Sequence, residues 1–263
     1  MTLVNIEALL ALWSFFFGAA IGSFLNVVIF RIPNGYRLNL PSRSACVSCK
    51  RKLHWYENVP ILGYVFLRGR CQSCGIAISP RYPIVELLTA VLFFAVYRYF
   101  GLSIATPYFW YFAAALVAIT FIDLDHRIIP DVISFPGIAV GFIFSFAAPE
   151  LGFLRSGLGI ALGGFLFWFM GWIYERITGR EGLGFGDVKM LAMIGAFLGP
   201  KGVFGTIVIS SMVGSVVGII LMVVQKKDLK LAVPYGPFLA IGALVQLFWG
   251  DYLALRFYPH TYE

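Results

Sequence analysis

Eight stretches of this chain run almost free of charge, and their lengths point to an α-helical membrane protein. The stretches are 8–30, 82–97, 99–122, 132–149, 156–174, 190–200, 202–225 and 231–250, and Glu86 is the one charged residue inside them. A helix needs about 20 apolar residues to cross the hydrocarbon core. Seven stretches reach or approach that length, and 190–200 does so if Asp187, Val188 and Lys189 form its first turn. Charged residues make up 13% of the 263 residues, against about 25% in an ordinary soluble domain. The expected fold is therefore an all-α polytopic membrane protein with about eight transmembrane helices.

Orientation follows from the bias of Lys and Arg toward the cytoplasmic side. With the amino terminus outside, four of the 20 basic residues (Arg98, Arg155, Lys201 and Arg256) fall outside. The other sixteen fall in cytoplasmic segments, among them Arg37, Arg43, Arg127, Arg176, Arg180, Lys226, Lys227 and Lys230. Both termini are then expected outside, with Asp123 and Asp187 at the cytoplasmic edge. The net charge of +7 reflects this bias and suits anionic lipid headgroups. Nucleic acid is not expected as a partner, because the basic residues lie in loops at the membrane face. The first stretch has no basic segment before it, and its small residues lie within the run rather than at a cleavage site. It reads as a retained helix and not as a signal peptide.

The long polar segment, 32–81, carries all four cysteines, as Cys46-Val-Ser-Cys49 and Cys71-Gln-Ser-Cys74. Two such pairs match the spacing of a four-cysteine zinc site, each pair gripping one side of a tetrahedral ion. Gly75 permits a tight turn after the second pair. Lys50, Arg51, Lys52 and Arg70 offset the charge of four thiolates. Disulfides are the competing reading, and a reducing cytoplasmic location argues against them. Four thiolates close the coordination shell, so the zinc is expected to be structural. It would staple a loop too small to fold by its own core.

Asp123 closes the third stretch and Asp187 opens the sixth, within Gly184-Phe185-Gly186-Asp187. A carboxylate at the edge of a bilayer is costly and usually functional. Two in matched positions suggest an aspartyl protease: one ionised to take a proton from water, one protonated to donate to the scissile carbonyl. Gly184 and Gly186 would let a peptide backbone approach. Bland roles compete. Asp123 could cap the end of its helix, Asp187 the start of the sixth and Asp131 the start of the fourth, while Asp125 reads as a loop residue. Glu86 needs a partner, for which Arg81, Arg98 or a watery cavity would serve. Gly157, Gly159, Gly163 and Gly164, and the pair Gly214 and Gly218, read as helix-packing positions.

Several motifs then combine. Gly22-Ser23-Phe24-Leu25-Asn26-Val27-Val28-Ile29-Phe30-Arg31-Ile32-Pro33 is joined by the four cysteines and Tyr82-Pro83-Ile84-Val85-Glu86-Leu87-Leu88. Asp123 to Asp131, Gly184-Phe185-Gly186-Asp187-Val188-Lys189 and Pro234-Tyr235-Gly236-Pro237-Phe238 follow. Over nearly its whole length the chain resembles the type IV prepilin peptidases, the leader peptidase/N-methyltransferases. The resemblance implies a bifunctional enzyme of the bacterial cytoplasmic (inner) membrane. It would cut the basic leader from type IV prepilins or type II secretion pseudopilins with Asp123 and Asp187. It would then methylate the new amino terminus with S-adenosylmethionine. Gly69, in Leu67-Arg68-Gly69-Arg70-Cys71, is the implied methyl-transfer position.

The implied organisation is 1–31 as the first membrane helix, 32–81 as the zinc-binding segment and 82–263 as the peptidase part. Two other readings stay open: a proton-coupled transporter using intramembrane acids, although the inverted repeats it predicts are not seen, and a peptidase without methyl transfer. The leader's positive charge is expected to approach acids such as Asp125, Glu175 or Glu181.

Overall fold

The computed structural model describes residues 3–36, 45–46, 48–147, 152–179, 184–225 and 233–257. Arg37, Arg43, Arg180, Glu181, Lys226, Lys227 and Lys230 lie outside the described residues. The elements are α1 (Leu3–Arg31), a short 3-10 turn (Trp55–Asn58), α2 (Leu62–Phe66), α3 (Arg81–Phe100), α4 (Ala105–His126), α5 (Asp131–Phe144), α6 (Phe153–Thr178), α7 (Phe185–Gln225) and α8 (Gly236–Phe257). Two compact units divide the chain, Met1–Ala118 and Ile119–Glu263.

Every apolar stretch is helical over most of its described length. Among the described residues, five helices are long and apolar enough to cross a membrane: Ile6–Arg31, Arg81–Phe100, Ala105–His126, Phe153–Thr178 and Phe185–Val224. Helix α5 has 14 residues, a rise of about 21 Å, short of a hydrocarbon core of about 30 Å. Helix α8 has 22 residues, and its apolar part among the described residues is Gly236–Gly250. The sixth and seventh stretches are joined in α7, which breaks at Gly199 (φ 69°, ψ −174°) just before Pro200. Glycine reaches that conformation without a Cβ penalty, and proline then begins the second part, where its missing N–H costs nothing.

In the first unit α1 lies close against α3. A Cβ on Gly18 would sit 2.9 Å from the Ala90 Cα, and one on Gly22 would sit 2.7 Å from the Glu86 Cα. Only residues without side chains allow helix backbones this near. Phe93 and Trp110 stack at 5.1 Å, and the Trp110 Nε1–H donates to the Phe93 carbonyl at 2.9 Å.

In the second unit the first part of α7 is the buried centre. Met190, Leu191, Met193, Ile194, Ala196 and Phe197 are all fully buried. The stretch that reads as a marginal membrane span is thus enclosed by protein. Helix α6 crosses it where Gly159 meets Gly195 and Gly163 meets Leu191, and the Ser156 hydroxyl donates to the Ala196 carbonyl at 2.8 Å. Helix α5 brings Gly141 against Ala196 and Phe197, and α8 brings Gly242 against Thr206. Of the expected packing glycines, Gly159 and Gly163 mark a close crossing. Gly218 meets nothing within 4 Å, so the Gly214/Gly218 pattern does not clamp two described backbones. Large apolar side chains such as Phe165, Trp168, Met212 and Val216 remain exposed, as lipid-facing surfaces do.

Candidate active site and metal centre

Asp123 sits one turn from the end of α4. The helix closes where the Arg127 N–H donates to the Asp123 carbonyl at 2.9 Å, with Arg127 in the left-handed region at φ 56°. The Asp123 side chain is 5% exposed, and its Oδ2 accepts the Gly236 backbone N–H at 2.9 Å. That N–H is one of the unpaired donors at the start of α8, so the helix terminus grips a carboxylate, as such ends favour. Asp123 therefore faces inward to a partner and does not serve as a surface C-cap. The Tyr235-Gly236-Pro237 turn that supplies the donor is part of a motif behind the family resemblance, but sequence reading assigned it no chemical task. Its signal is a glycine–proline step opening an apolar helix.

Asp187 lies in the first turn of α7, with its N–H donating to the Gly184 carbonyl at 3.0 Å. It is the third residue of the helix and so is not the N-cap. Asp123 and Asp187 line the same cavity of about 740 Å³, together with Gly184, Gly186, Tyr235 and Ser211. Gly184 lines the cavity, and among the described residues a Cβ there would meet only the Asp187 Oδ2, at 3.5 Å. Gly186 also lines the cavity, but it packs on Ile129, 3.0 Å from its would-be Cβ. Of the two glycines, Gly184 gives a substrate room and Gly186 lets the helix start close to its neighbour. The Tyr235 hydroxyl lies 2.9 Å from the Ser210 Oγ and 3.3 Å from the Ser211 Oγ, which fixes the ring at the cavity wall.

The other aspartates separate from this pair. Asp131 is the first residue of α5, with Pro130 as its N-cap. The capping role expected of Asp131 is therefore not the one it plays. Its carboxylate instead pairs with the Lys189 Nζ, joining α5 to α7 on the cavity's rim. Asp125 and Glu175 are exposed. Glu86 finds a backbone partner: the Ile61 N–H donates to its Oε2 at 2.7 Å.

The cysteines form two copies of one turn. The Cys46 N–H donates to the Arg51 carbonyl and the Lys50 N–H to the Cys46 carbonyl, at 2.9 and 3.0 Å. Cys71 repeats this with Ile76 and Gly75, at 2.9 Å each. Isolated bridges, Ala45 with Lys52 and Arg70 with Ala77, close the two turns. Gly75 takes φ 69°, as its position after the second pair suggested, and Lys50 holds the equivalent place at φ 57°.

The four Sγ atoms lie within 4.8 Å of one another, and none is in a disulfide. The Cys46 and Cys74 sulfurs are 3.8 Å apart. Sulfurs about 2.3 Å from a tetrahedral zinc would be separated by about 3.8 Å, so the donor set fits that ion. Backbone N–H groups of Cys49 and Ser48 hold the Cys46 thiol below its ordinary value, and those of Cys74 and Ser73 bring Cys71 to about 6. At Cys74 the Ile76 N–H favours the thiolate. Burial and the neighbouring Cys71, Cys46 and Cys49 outweigh it and push the thiol to about 11.

Arg51 is held beside Cys71 by Glu57, a buried acid that sequence reading passed over. Its Oε1 takes the Arg51 guanidinium at 2.7 Å and its Oε2 takes the His54 N–H at 2.7 Å. Arg51 keeps the Glu57 carboxyl below the usual range.

Comparison with known proteins places the chain in a family. Residues 16–100 match the bacterial peptidase A24 N-terminal domain, and residues 110–219 match the type IV leader peptidase family. A prepilin leader peptidase/N-methyltransferase of Aeromonas hydrophila is 36% identical over 261 residues, covering 90% of each chain. That of Pseudomonas aeruginosa is 35% identical over 257 residues, 89% of this chain and 88% of its own. That of Myxococcus xanthus is 42% identical over 214 residues, 81% of this chain and 64% of its own. No solved structure matches the chain. With two family domains matched in order and relatives aligned over about nine-tenths of the chain, this multi-pass membrane protein belongs to the type IV leader peptidase family.

Proposed function

We propose that the chain is a bifunctional enzyme: an aspartyl peptidase that removes the leader from type IV prepilins or type II secretion pseudopilins, and an N-methyltransferase acting on the new terminus. The observation that carries the peptidase reading is a single cavity faced by Asp123 from α4 and Asp187 from α7, with Asp123 held by a backbone N–H. One carboxylate takes a proton from water as the water oxygen attacks the scissile carbonyl. The other carboxylic acid gives its proton to the carbonyl oxygen. Collapse of the tetrahedral intermediate breaks the C–N bond, and the leaving amine takes a proton back.

The relatives' double name supports the methyl-transfer half, with S-adenosylmethionine as donor. A structural zinc on Cys46, Cys49, Cys71 and Cys74 is supported by the sulfur spacing. In functional terms, 1–31 is the first membrane helix, 32–81 the zinc-binding module and 82–263 the peptidase part. The bias of basic residues supports a bacterial inner-membrane enzyme with both termini outside and its active site on the cytoplasmic face. Asp125 and Glu175, exposed acids of the second unit, suit the leader's positive charge.

Asp123→Asn and Asp187→Asn test the peptidase reading on purified protein with a prepilin substrate. Each should abolish cleavage in a folded, zinc-loaded protein. Near-normal turnover in either variant removes that residue from the mechanism.

A further inference from the structure

A second cavity, of about 1030 Å³, lies wholly within the first unit, between the end of α1, the start of α3 and the cysteine module. Its volume is that of a site for a drug-sized ligand. Most of its wall is apolar or aromatic, including Phe24, Tyr64 and Tyr82. Two acceptors stand out in it. Asn26 is 3% exposed. Its Nδ2 donates to the Tyr82 carbonyl at 3.1 Å, while its Oδ1 is buried with no hydrogen-bond partner among the described residues. An orphaned acceptor of this kind costs free energy unless a donor arrives to satisfy it. Glu86 is 8% exposed and uses one oxygen to take the Ile61 N–H.

We infer that this cavity is the binding site for the methyl donor, S-adenosylmethionine, with Asn26 and Glu86 as its recognition groups. The inference rests on the methyl-transfer reading and gives that activity a place apart from the aspartates. The donor's chemistry fits the wall. It carries hydrogen-bond donors, its ammonium and its adenine amine, for the Asn26 Oδ1. It carries a cationic sulfonium, which a buried carboxylate and aromatic rings attract. Arg31 and Arg81, on the same wall, suit its carboxylate. Transfer moves the methyl group from sulfur to the new terminal amine; the sulfur keeps the C–S electron pair and the amine nitrogen gives up a proton to water.

The same geometry accounts for Gly69, which does not line the cavity. With φ at 66°, its missing Cβ would lie 2.8 Å from the Tyr64 hydroxyl, and Tyr64 is on the wall. Gly69 is thus a positioning residue behind Tyr64. Cys46 and Cys71 also reach the wall, which joins the metal module to this site.

The test is equilibrium binding of S-adenosylmethionine and of S-adenosylhomocysteine, its neutral thioether, to the full chain in nanodiscs. Asn26→Leu should weaken both ligands about tenfold, the loss of one good hydrogen bond. Glu86→Gln keeps an acceptor for Ile61 but loses the charge. It should therefore weaken the sulfonium ligand about tenfold and leave the thioether nearly unchanged. Zinc content and prepilin cleavage should match wild type in both variants. A photoreactive adenosine analogue on the wild-type protein, which needs no variant to fold, should label 20–31 or 76–86. Labelling confined to other peptides, or wild-type affinities in both folded variants, overturns the site while the methyl-transfer reading stands. A co-purified lipid in the cavity that the donor cannot displace also overturns it. A wild-type protein that neither binds the donor nor methylates a cleaved substrate overturns both.

Discussion

Gly236→Ala is the smallest change that should disable cleavage without touching a carboxylate. A Cβ at Gly236 would stand 2.7 Å from the Asp123 Oδ2 and 3.3 Å from its Cγ. A carbon–oxygen contact closes to about 3.3 Å, so the carboxylate must retreat by about half an ångström. That breaks the 2.9 Å bond from the Gly236 N–H. A hydrogen bond to a charged group contributes about 1.5–3 kcal/mol, and each 1.36 kcal/mol is about tenfold in rate. Catalytic efficiency (kcat/KM) should fall roughly ten- to 150-fold. The backbone should tolerate the change, because Gly236 is not among the positive-φ glycines. The assay is initial-rate cleavage of a prepilin in nanodiscs, with zinc content and helicity as folding controls. Gly218→Ala, whose Cβ meets nothing within 4 Å, is the silent comparison. A folded Gly236→Ala protein within about twofold of wild type would show that the α8 terminus does not hold Asp123 for catalysis.

Other consequences are open to direct measurement. Elemental analysis should find about one zinc per chain on the four cysteines; a metal-free protein with two native disulfides would overturn both the site and its reducing location. Gly159→Leu drives a side chain into Gly195, with that residue's carbonyl carbon 2.7 Å from the new Cβ. It should cost at least about 1–3 kcal/mol, read as a lower unfolding temperature. Asp131→Asn breaks a half-exposed pair with Lys189; it should change stability by less than about 1 kcal/mol and cleavage far less than either active-site aspartate. Glu57 titrates below its ordinary value because of Arg51. Its contribution is therefore present above the ordinary carboxylate range and lost as pH falls through the lowered value. The protection factors of amides around 51–57, corrected for the intrinsic pH dependence of exchange, should fall on acidification, and Glu57→Gln should show the lowered protection already at neutral pH.

Much of this was legible in the sequence because lipid simplifies the code. An uncharged run must become helix, and a pair of Cys-x-x-Cys motifs at that spacing has few geometric solutions. Asp123 and Asp187 stand out because a carboxylate is rare beside such runs. What was not legible depends on contacts between distant residues. Nothing local marks Gly236 as the donor to Asp123, since the two are joined only when α8 docks. Asp131 looked like a cap because Pro130 precedes it, yet the proline takes the N-cap position and frees the carboxylate for Lys189. Glu57 hides in a polar loop where acids are ordinary. The exact number of crossings is not legible either, because periodicity cannot tell a lipid-facing helix from one buried by protein, as 190–197 is.

The central claim is that one chain holds two separable reactions, and the mass of the mature amino terminus tests it most directly. Wild-type protein given a prepilin and S-adenosylmethionine should yield a product shortened by the leader and heavier by one methyl group. Asp187→Asn should leave the prepilin intact, yet still add one methyl group to a substrate cleaved beforehand. If a folded, zinc-loaded Asp187→Asn protein fails to methylate that pre-cleaved substrate, the two reactions share one site and the account is wrong.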